Sequence, residues 1–273
     1  MLTAPADLTV ADILTALASG WGLGASRADY RPVGFGSHHW SVTDDVGRRW
    51  FVTADVATGH LEPALRTATA LHAAGLDFVV APIATARGTA TQPAGGRYLL
   101  SVYPHIDGES GDFGAHRPED VGPVKALLAR LHATVAEQAE PIDLAVPDLA
   151  ALQKARVASG DGPFGEPVRA LLAAKSTTID ALLADYHRLR PSLPPADRWV
   201  VTHGEPHPGN FLRTPEGLKL VDWDTVRRAP AERDLWLVDD RPGEPAYAFF
   251  RLRWRLADIG SFAAELSAPH ADT

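Results

Sequence analysis

The 273-residue chain contains no cysteine. That excludes a disulfide framework, thiolate metal sites and a cysteine nucleophile, and it matches the usage expected of a cytoplasmic protein. Positive charge is also scarce. Lys and Arg number 26 against 34 Asp and Glu, the formal net charge is -8 with a pI near 5.7, and the first lysine is Lys125. A nucleic-acid partner needs a concentrated basic face, so none is expected. An acidic surface suits a cationic small substrate, and it is equally what solubility alone gives. No apolar run approaches the roughly 18 residues that span a bilayer, so no membrane partner is expected either. The N-terminal stretch MLTAPADLTVADILTALASG lacks the basic region and apolar core of a signal peptide and reads as a helix with Thr9 or Asp7 as cap. Internal repeats and low-complexity tracts are absent. What remains is an ordinary globular composition, 45% hydrophobic and 22% charged, on a chain long enough for one large domain or two lobes.

Residues 8–19 carry apolar side chains at helical spacing (Leu8, Ile13, Leu14, Leu17) and end at Gly20, read as a C-cap. Three strand-like runs follow, 30–34, 39–43 and 49–54, with turn chemistry at Asp44-Asp45-Val46-Gly47 between the second and third. A helix over 62–74, a strand over 78–81 ending at Pro82, and a hairpin through Gly95-Gly96 into 97–102 complete a small antiparallel sheet with a helix packed on it. The segment 103–113 (YPHIDGESGDF) changes composition and reads as a hinge. Beyond it, helices are expected over 118–136, 150–157, 167–188 and 246–266, and strands over 199–202 and 218–221. The reading is α+β. It has a β-rich N-terminal lobe (1–102), a hinge (103–113) and a mainly helical C-terminal lobe (114–273).

The densest chemistry lies between His203 and Asp224 (HGEPHPGNFLRTPEGLKLVDWD). Phosphoryl transfer from a nucleoside triphosphate requires metal to neutralise phosphate charge and a proton acceptor beside the attacking hydroxyl. Magnesium takes hard oxygen ligands, commonly one or two protein groups plus phosphate and water. Glu205, Asn210 five residues later, and Asp222 from a neighbouring hairpin supply such groups, while Pro206, Pro208 and Gly209 stiffen the loop between them. Two strands joined by a turn at Thr214–Gly217 would deliver all three to one end of a small sheet.

His203-Gly204-Glu205-Pro206-His207-Pro208-Gly209-Asn210 resembles the catalytic loop of the aminoglycoside phosphotransferase family, whose usual form is H-G-D-x-x-x-x-N. Val221-Asp222-Trp223-Asp224 resembles that family's metal motif, Pro230–Leu235 its P-x-x-D-L segment, and Leu131-His132 its L-H pair. The resemblance covers nearly the whole chain. It implies a protein-kinase-like bilobal fold, with ATP and Mg2+ in the cleft and a small-molecule hydroxyl as acceptor. It puts Glu205 at the catalytic base, Asn210 and Asp222 at the metal, and Asp224 at a second metal or the substrate, with a capping or ion-pair role equally open. His203 stands in the catalytic loop as a brace rather than a proton carrier, His207 as a loop residue, and Asp234 as a support of the loop. In the nucleotide lobe, Gly34, Gly36 and Ser37 fall where backbone amides and a hydroxyl meet phosphates. Ser101 and Tyr103 fall where the hinge meets the adenine. Asp107 and Glu109 are either acceptor-binding acids or solvated linker acids.

Two positions depart from the family pattern. Thr53 stands where the fold normally has a lysine pairing with the phosphates, and a hydroxyl does not replace an ammonium charge; Arg48, Arg49 and Arg66 are the nearby cations, and Glu62 is the helix acid that such a lysine would pair with. Glu205 stands in place of aspartate, a reach changed by roughly 1 Å, and misplacement of that order costs on the order of 100-fold in rate unless the acceptor shifts with it. Three readings follow: a small-molecule kinase, with antibiotic resistance as one role; a kinase-fold protein that binds nucleotide without transfer; and a kinase of a primary metabolite such as an amino alcohol.

Overall fold

The computed structural model describes residues 3–239, 241 and 243–269. The chain divides into two compact units, Met1–Pro141 with Val200–Arg228, and Ile142–Trp199 with Ala229–Thr273. The strands of residues 28–110 and the segment His203–Asp224 thus fall in the same unit.

The first unit opens with α1 (Val10–Trp21). Thr9 caps it through a reciprocal box: the Asp12 amide donates to Thr9 Oγ1 at 3.1 Å and the Thr9 amide to Asp12 Oδ2 at 2.9 Å. The helix does not stop at Gly20. It continues to Trp21 and is capped by Gly22, whose φ of 65° is the left-handed conformation that glycine adopts without penalty. Strands β1 (Ala28–Arg31), β2 (His38–Thr43), β3 (Arg49–Val56), β4 (Gln92–Ala94) and β5 (Tyr98–Pro104) form one antiparallel sheet in the order β1-β2-β3-β5-β4. Alternation gives that sheet two faces. Trp40, Val42, Val52, Ala54, Leu100 and Val102 point to one side, where Ile13 and Leu17 of α1 close an apolar core. The other side carries the polar residues taken up below.

Helix α2 (Leu61–Ala73) packs against the turn Trp223–Thr225. Glu62 accepts hydrogen bonds from the Ala90 amide (2.8 Å) and the Thr91 hydroxyl (2.6 Å), so it pins a loop. The expected strand over 78–81 is reduced to a single parallel bridge between Val79 and Leu220, because Pro82 has no amide to extend it. The short β6 (Glu109–Ser110) pairs with β8 (Phe211–Thr214), which pairs in turn with β9 (Gly217–Leu220). The hairpin partner of β9 is therefore β8, while β7 (Val200–Thr202) pairs with β10 (Arg227–Ala229). Helix α3 (Pro118–Ala133) packs on β7 and ends three residues earlier than its apolar periodicity implies.

In the second unit, α4 (Leu149–Val157), α5 (Gly165–Ala174), α6 (Ser176–Leu189) and the short α7 (Glu232–Leu235) each pack on the long α8 (Pro245–Ser267). The single helix expected over 167–188 is two. The chain leaves helical geometry at Lys175 (φ -102°, ψ 8°), just before Ser176-Thr177-Thr178, hydroxyl residues that favour helix starts over interiors. Tyr186 and Phe249 stack at 4.5 Å in the core of this unit. Among the described residues no helix is long and apolar enough to cross a membrane.

Candidate active site

The segment His203–Asp224 leaves the end of β7, turns through one 3-10 turn at Pro208–Asn210, forms the β8–β9 hairpin and ends in a second 3-10 turn at Trp223–Thr225. Backbone bonds close it on itself: the Asn210 amide donates to His207 O at 3.0 Å, and the Val221 amide donates to Asn210 O at 3.0 Å. The second bond sets the residue before Asp222 beside Asn210.

His203 is fully buried. Its Nε2 donates to Val221 O (2.9 Å), its Nδ1 accepts from the Glu205 amide (3.2 Å), and its ring sits edge-on to Trp223 at 4.7 Å. Both nitrogens are committed to backbone, which leaves no lone pair for a reacting proton and makes the ring a spacer between loop and hairpin. Trp223, fully buried, donates its indole N–H to Leu220 O (2.8 Å), and the Thr225 hydroxyl donates to His203 O (2.8 Å). These bonds hold Asp222 at φ 68°, ψ 63°, a left-handed conformation that a residue with a Cβ adopts only under constraint.

Asn210 is buried, and its Nδ2 donates to Glu205 O at 2.9 Å. The amide nitrogen is thereby spent holding the loop, and the amide oxygen is turned to the other side. Glu205 is half-buried. Asp222 keeps accessible surface, yet the protein crowded around it, with the charge of Asp55, pushes its carboxyl up to about 6, opposed by a hydrogen bond with Asp224. Burial, and then the charges of Asp222, Asp55 and Glu205, push Asp224 well above the ordinary carboxylate range. The four carboxyls therefore share one region of negative potential, which a cation relieves. The donors are oxygen throughout, the set that magnesium takes. Among the described residues no three His, Asp or Glu side chains converge closely enough to hold a metal unaided. The fit is to a metal that brings further oxygen ligands with it.

Three expected nucleotide-site residues lie on the polar face of the sheet. Register puts Thr53 opposite both His39 and Ser101, and Phe51 opposite Tyr103. Thr53 Oγ1 lies 2.6 Å from Ser101 Oγ. Burial pushes the Tyr103 phenol far above its ordinary value, opposed by a hydrogen bond with Ser101 and reinforced by the charges of Asp55, Asp222 and Asp224. The sheet face and the segment His203–Asp224 thus meet around one set of acids. Gly34 and Gly36 adopt φ 71° and 91°, a turn that glycine makes freely. Ser37 does not offer its hydroxyl proton outward, since it donates to Asp55.

Asp55 lies one residue beyond the expected end of the third strand at residue 54. Strand β3 runs to Val56, and alternation from Thr53 puts Asp55 on the same face two residues on. Of the cations near Thr53 in the sequence, Arg49 is paired with Asp107, and Arg48 and Arg66 are exposed. His39, stacked on Phe51 at 5.1 Å, is held neutral: burial lowers it to about 4.

Residues 109–116 form a strap on the His203–Asn210 loop, a contact not anticipated from the sequence. The Gly111 amide donates to Pro208 O (3.1 Å), His116 Nε2 lies 2.8 Å from Pro206 O, and Phe113 packs its ring 4.5 Å from that of His207. A cavity of about 320 Å³ lies between the strap, Pro208 and the β8–β9 hairpin, lined by Glu109, Asp112, Phe113, Asp120 and Arg213 among others. Arg213 is paired with Asp120 at 2.6 Å.

Residues 29–266 match the profile described as the phosphotransferase enzyme family. The chain is similar to Protein StrN of Streptomyces griseus, with 27% identity over 256 residues that cover 86% of this chain and 79% of that protein. A spectinomycin phosphotransferase, solved with ADP and spectinomycin, superposes with a TM-score of 0.74 at 18% identity, covering 95% of this chain and 88% of that one. An amicoumacin kinase, solved with AMP-PNP, Ca2+ and its ligand, superposes with a TM-score of 0.60 at 12% identity, covering 98% and 80%. At these identities the likeness establishes the fold, the protein-kinase-like α+β architecture.

Proposed function

As the chain belongs to the phosphotransferase enzyme family, we propose that this small-molecule phosphotransferase moves the γ-phosphoryl group of ATP, with Mg2+, to a hydroxyl of an amino- or sugar-bearing compound. The observation that carries this is the arrangement of His203–Asp224, in which backbone bonds through Asn210 and a constrained Asp222 bring the amide oxygen and carboxyls to one region. Asn210 and Asp222 are the residues to hold the nucleotide's metal, with Asp224 beside them. The metal, when bound, supplies positive charge at the phosphates. Glu205 accepts the proton of the acceptor hydroxyl and aims its oxygen, while His203 keeps the loop in register. Gly34 and Gly36 present backbone amides to phosphate, and Thr53, Ser101 and Tyr103 line the nucleotide face.

An acceptor carrying positive charge fits the cavity along the strap, where Glu109 and Asp112 supply carboxylates and Arg213 is already neutralised by Asp120. Inactivation of an antibiotic is a role in keeping with such a substrate, and the cysteine-free composition accords with a cytoplasmic setting. The test is a mass-shift screen of the purified protein with MgATP against aminoglycosides, spectinomycin-like cyclitols and amino alcohols. A gain of one phosphoryl mass on an acceptor, absent with EDTA, supports the reading; no shift on any acceptor alongside intact nucleotide binding sinks transfer. The absence of a cation at Thr53 favours one other reading, a protein that binds nucleotide without transfer, and stabilisation by ATP that is independent of Mg2+ would identify it.

A further inference from the structure

The turn Gly34-Phe35-Gly36-Ser37 lies between β1 and β2, and its two glycines, both at positive φ, carry little conformational preference of their own. A turn of that kind presents its amides to an anion only if something outside it fixes its position. In the pattern this fold resembles, a lysine on the third strand supplies charge at that place; here Thr53 does not, and His39 beside it is neutral. The structure puts a different device there. The Ser37 hydroxyl donates to Asp55 Oδ1 on the rigid β3, Thr53 Oγ1 lies 3.4 Å from Asp55 Oδ2, and Thr53 continues to Ser101 on β5 at 2.6 Å. The chain Ser37–Asp55–Thr53–Ser101 ties the glycine turn across two paired strands of the sheet.

We propose that Asp55 is a positioning residue of the nucleotide site, which anchors the glycine turn through Ser37 so that its backbone amides are set for phosphate oxygens. The proposal rests on the reading of Gly34–Ser37 as the phosphate-facing turn. It reverses the naive expectation for a carboxylate near a triphosphate. By charge alone Asp55 repels the nucleotide, and its removal would tighten binding; as an anchor, its removal loosens the turn and weakens binding. A hydrogen bond to a charged group and the ordering it maintains correspond to roughly a tenfold change in a local equilibrium.

The experiment compares the wild type with Ser37→Ala, Asp55→Ala, Asp55→Asn and the double variant Ser37→Ala/Asp55→Ala. Two quantities are measured: amide hydrogen exchange over residues 34–37 without nucleotide, and the dissociation constant for MgATP. Exchange about tenfold faster in Ser37→Ala and in Asp55→Ala is expected, with MgATP binding weakened by a similar factor. The double variant should be no worse than the worse single one, because both remove the same bond. Asp55→Asn keeps an acceptor oxygen and should stay within about threefold of wild type. Unchanged exchange in the single variants, additive losses in the double one, or tighter MgATP binding in Asp55→Ala overturns the proposal. Ser37→Ala carries the test alone if Asp55→Ala does not fold. A wild type that binds no MgATP would refute the nucleotide reading, and the exchange data would then still decide whether Asp55 anchors the turn.

Discussion

Replacing Gly111 with alanine puts a methyl group where the strap meets the His203–Asn210 loop. The added Cβ would lie 2.7 Å from Pro208 Cβ, 2.9 Å from Pro208 O and 3.1 Å from Pro208 C, and two of these are backbone atoms that cannot rotate away. Relief requires the strap to lift by about 1 Å, taken against ordinary van der Waals separation. That lift breaks the 3.1 Å bond from the Gly111 amide, worth about 1 kcal/mol, and strains the Phe113–His207 ring contact and the His116–Pro206 bond. Overpacking adds about 1–3 kcal/mol, and the smaller entropy of the unfolded alanine chain returns roughly 0.4–1 kcal/mol. The net is a loss of about 2 kcal/mol, or roughly 4–8 °C in Tm. Amide exchange over 109–116 should accelerate, and because a displacement of this size at Pro208 reaches the loop that carries Glu205, MgATP-dependent turnover should fall on the order of 100-fold. Gly59→Ala is the control: its Cβ meets nothing within 4 Å and its φ is not left-handed, so it should stabilise by about 0.4–1 kcal/mol. A Gly111→Ala protein with unchanged melting and unchanged exchange over 109–116 would refute the contact.

Other consequences are open to direct measurement. His207 is buried, and burial followed by the charge of His116 lowers it to about 4; unfolding therefore releases it to its ordinary value near 6.5, where it takes up a proton. The stability of its neutral form is intact above pH 6.5 and is lost as pH falls toward 4, so wild type relative to His207→Gln should lose on the order of 2 kcal/mol between pH 7 and pH 4 by denaturant titration; parallel curves would contradict this. Asp44 accepts from the Trp50 indole (3.0 Å) and from the amides of Val46 (3.1 Å) and Arg48 (2.8 Å), so Asp44→Ala should cost about 2–3 kcal/mol in urea unfolding while Asp45→Ala stays within about 0.5 kcal/mol. Trp223→Phe removes the indole bond to Leu220 and leaves a gap under Asp222; a loss of about 2 kcal/mol and weaker binding of MgATP are expected, against an unchanged dissociation constant if Asp222 is held by other means.

Much of this was legible in the sequence because the relevant signals are local. Thr9 as a cap, the turn at Asp44–Gly47, and the loop from His203 to Asn210 each depend on a few neighbouring residues and come out where expected. What was not legible depends on register and on distant segments. Asp55 belongs to the polar face only because β3 runs two residues beyond the expected end, and its partner Ser37 lies 18 residues away. The strap from Gly111 to His116 contacts residues about 90 positions on, and its composition signals only an irregular segment. The single helix expected over 167–188 failed at Ser176–Thr178, where side-chain preference outweighed an unbroken apolar stripe. The pairing of β9 with β8 differs from the expectation, in which the strands around the motif are only 199–202 and 218–221 and none is assigned to Phe211–Thr214.

We propose that Asn210 and Asp222 hold the metal of a nucleotide at the end of this loop. This is tested most directly by titrating MgATP into the wild type and Asp222→Ala by calorimetry, with ATP and EDTA as the reference. Mg2+-dependent binding to the wild type and loss of that dependence in Asp222→Ala are expected, with circular dichroism unchanged. Equal Mg2+-dependent affinity in the two proteins would contradict it.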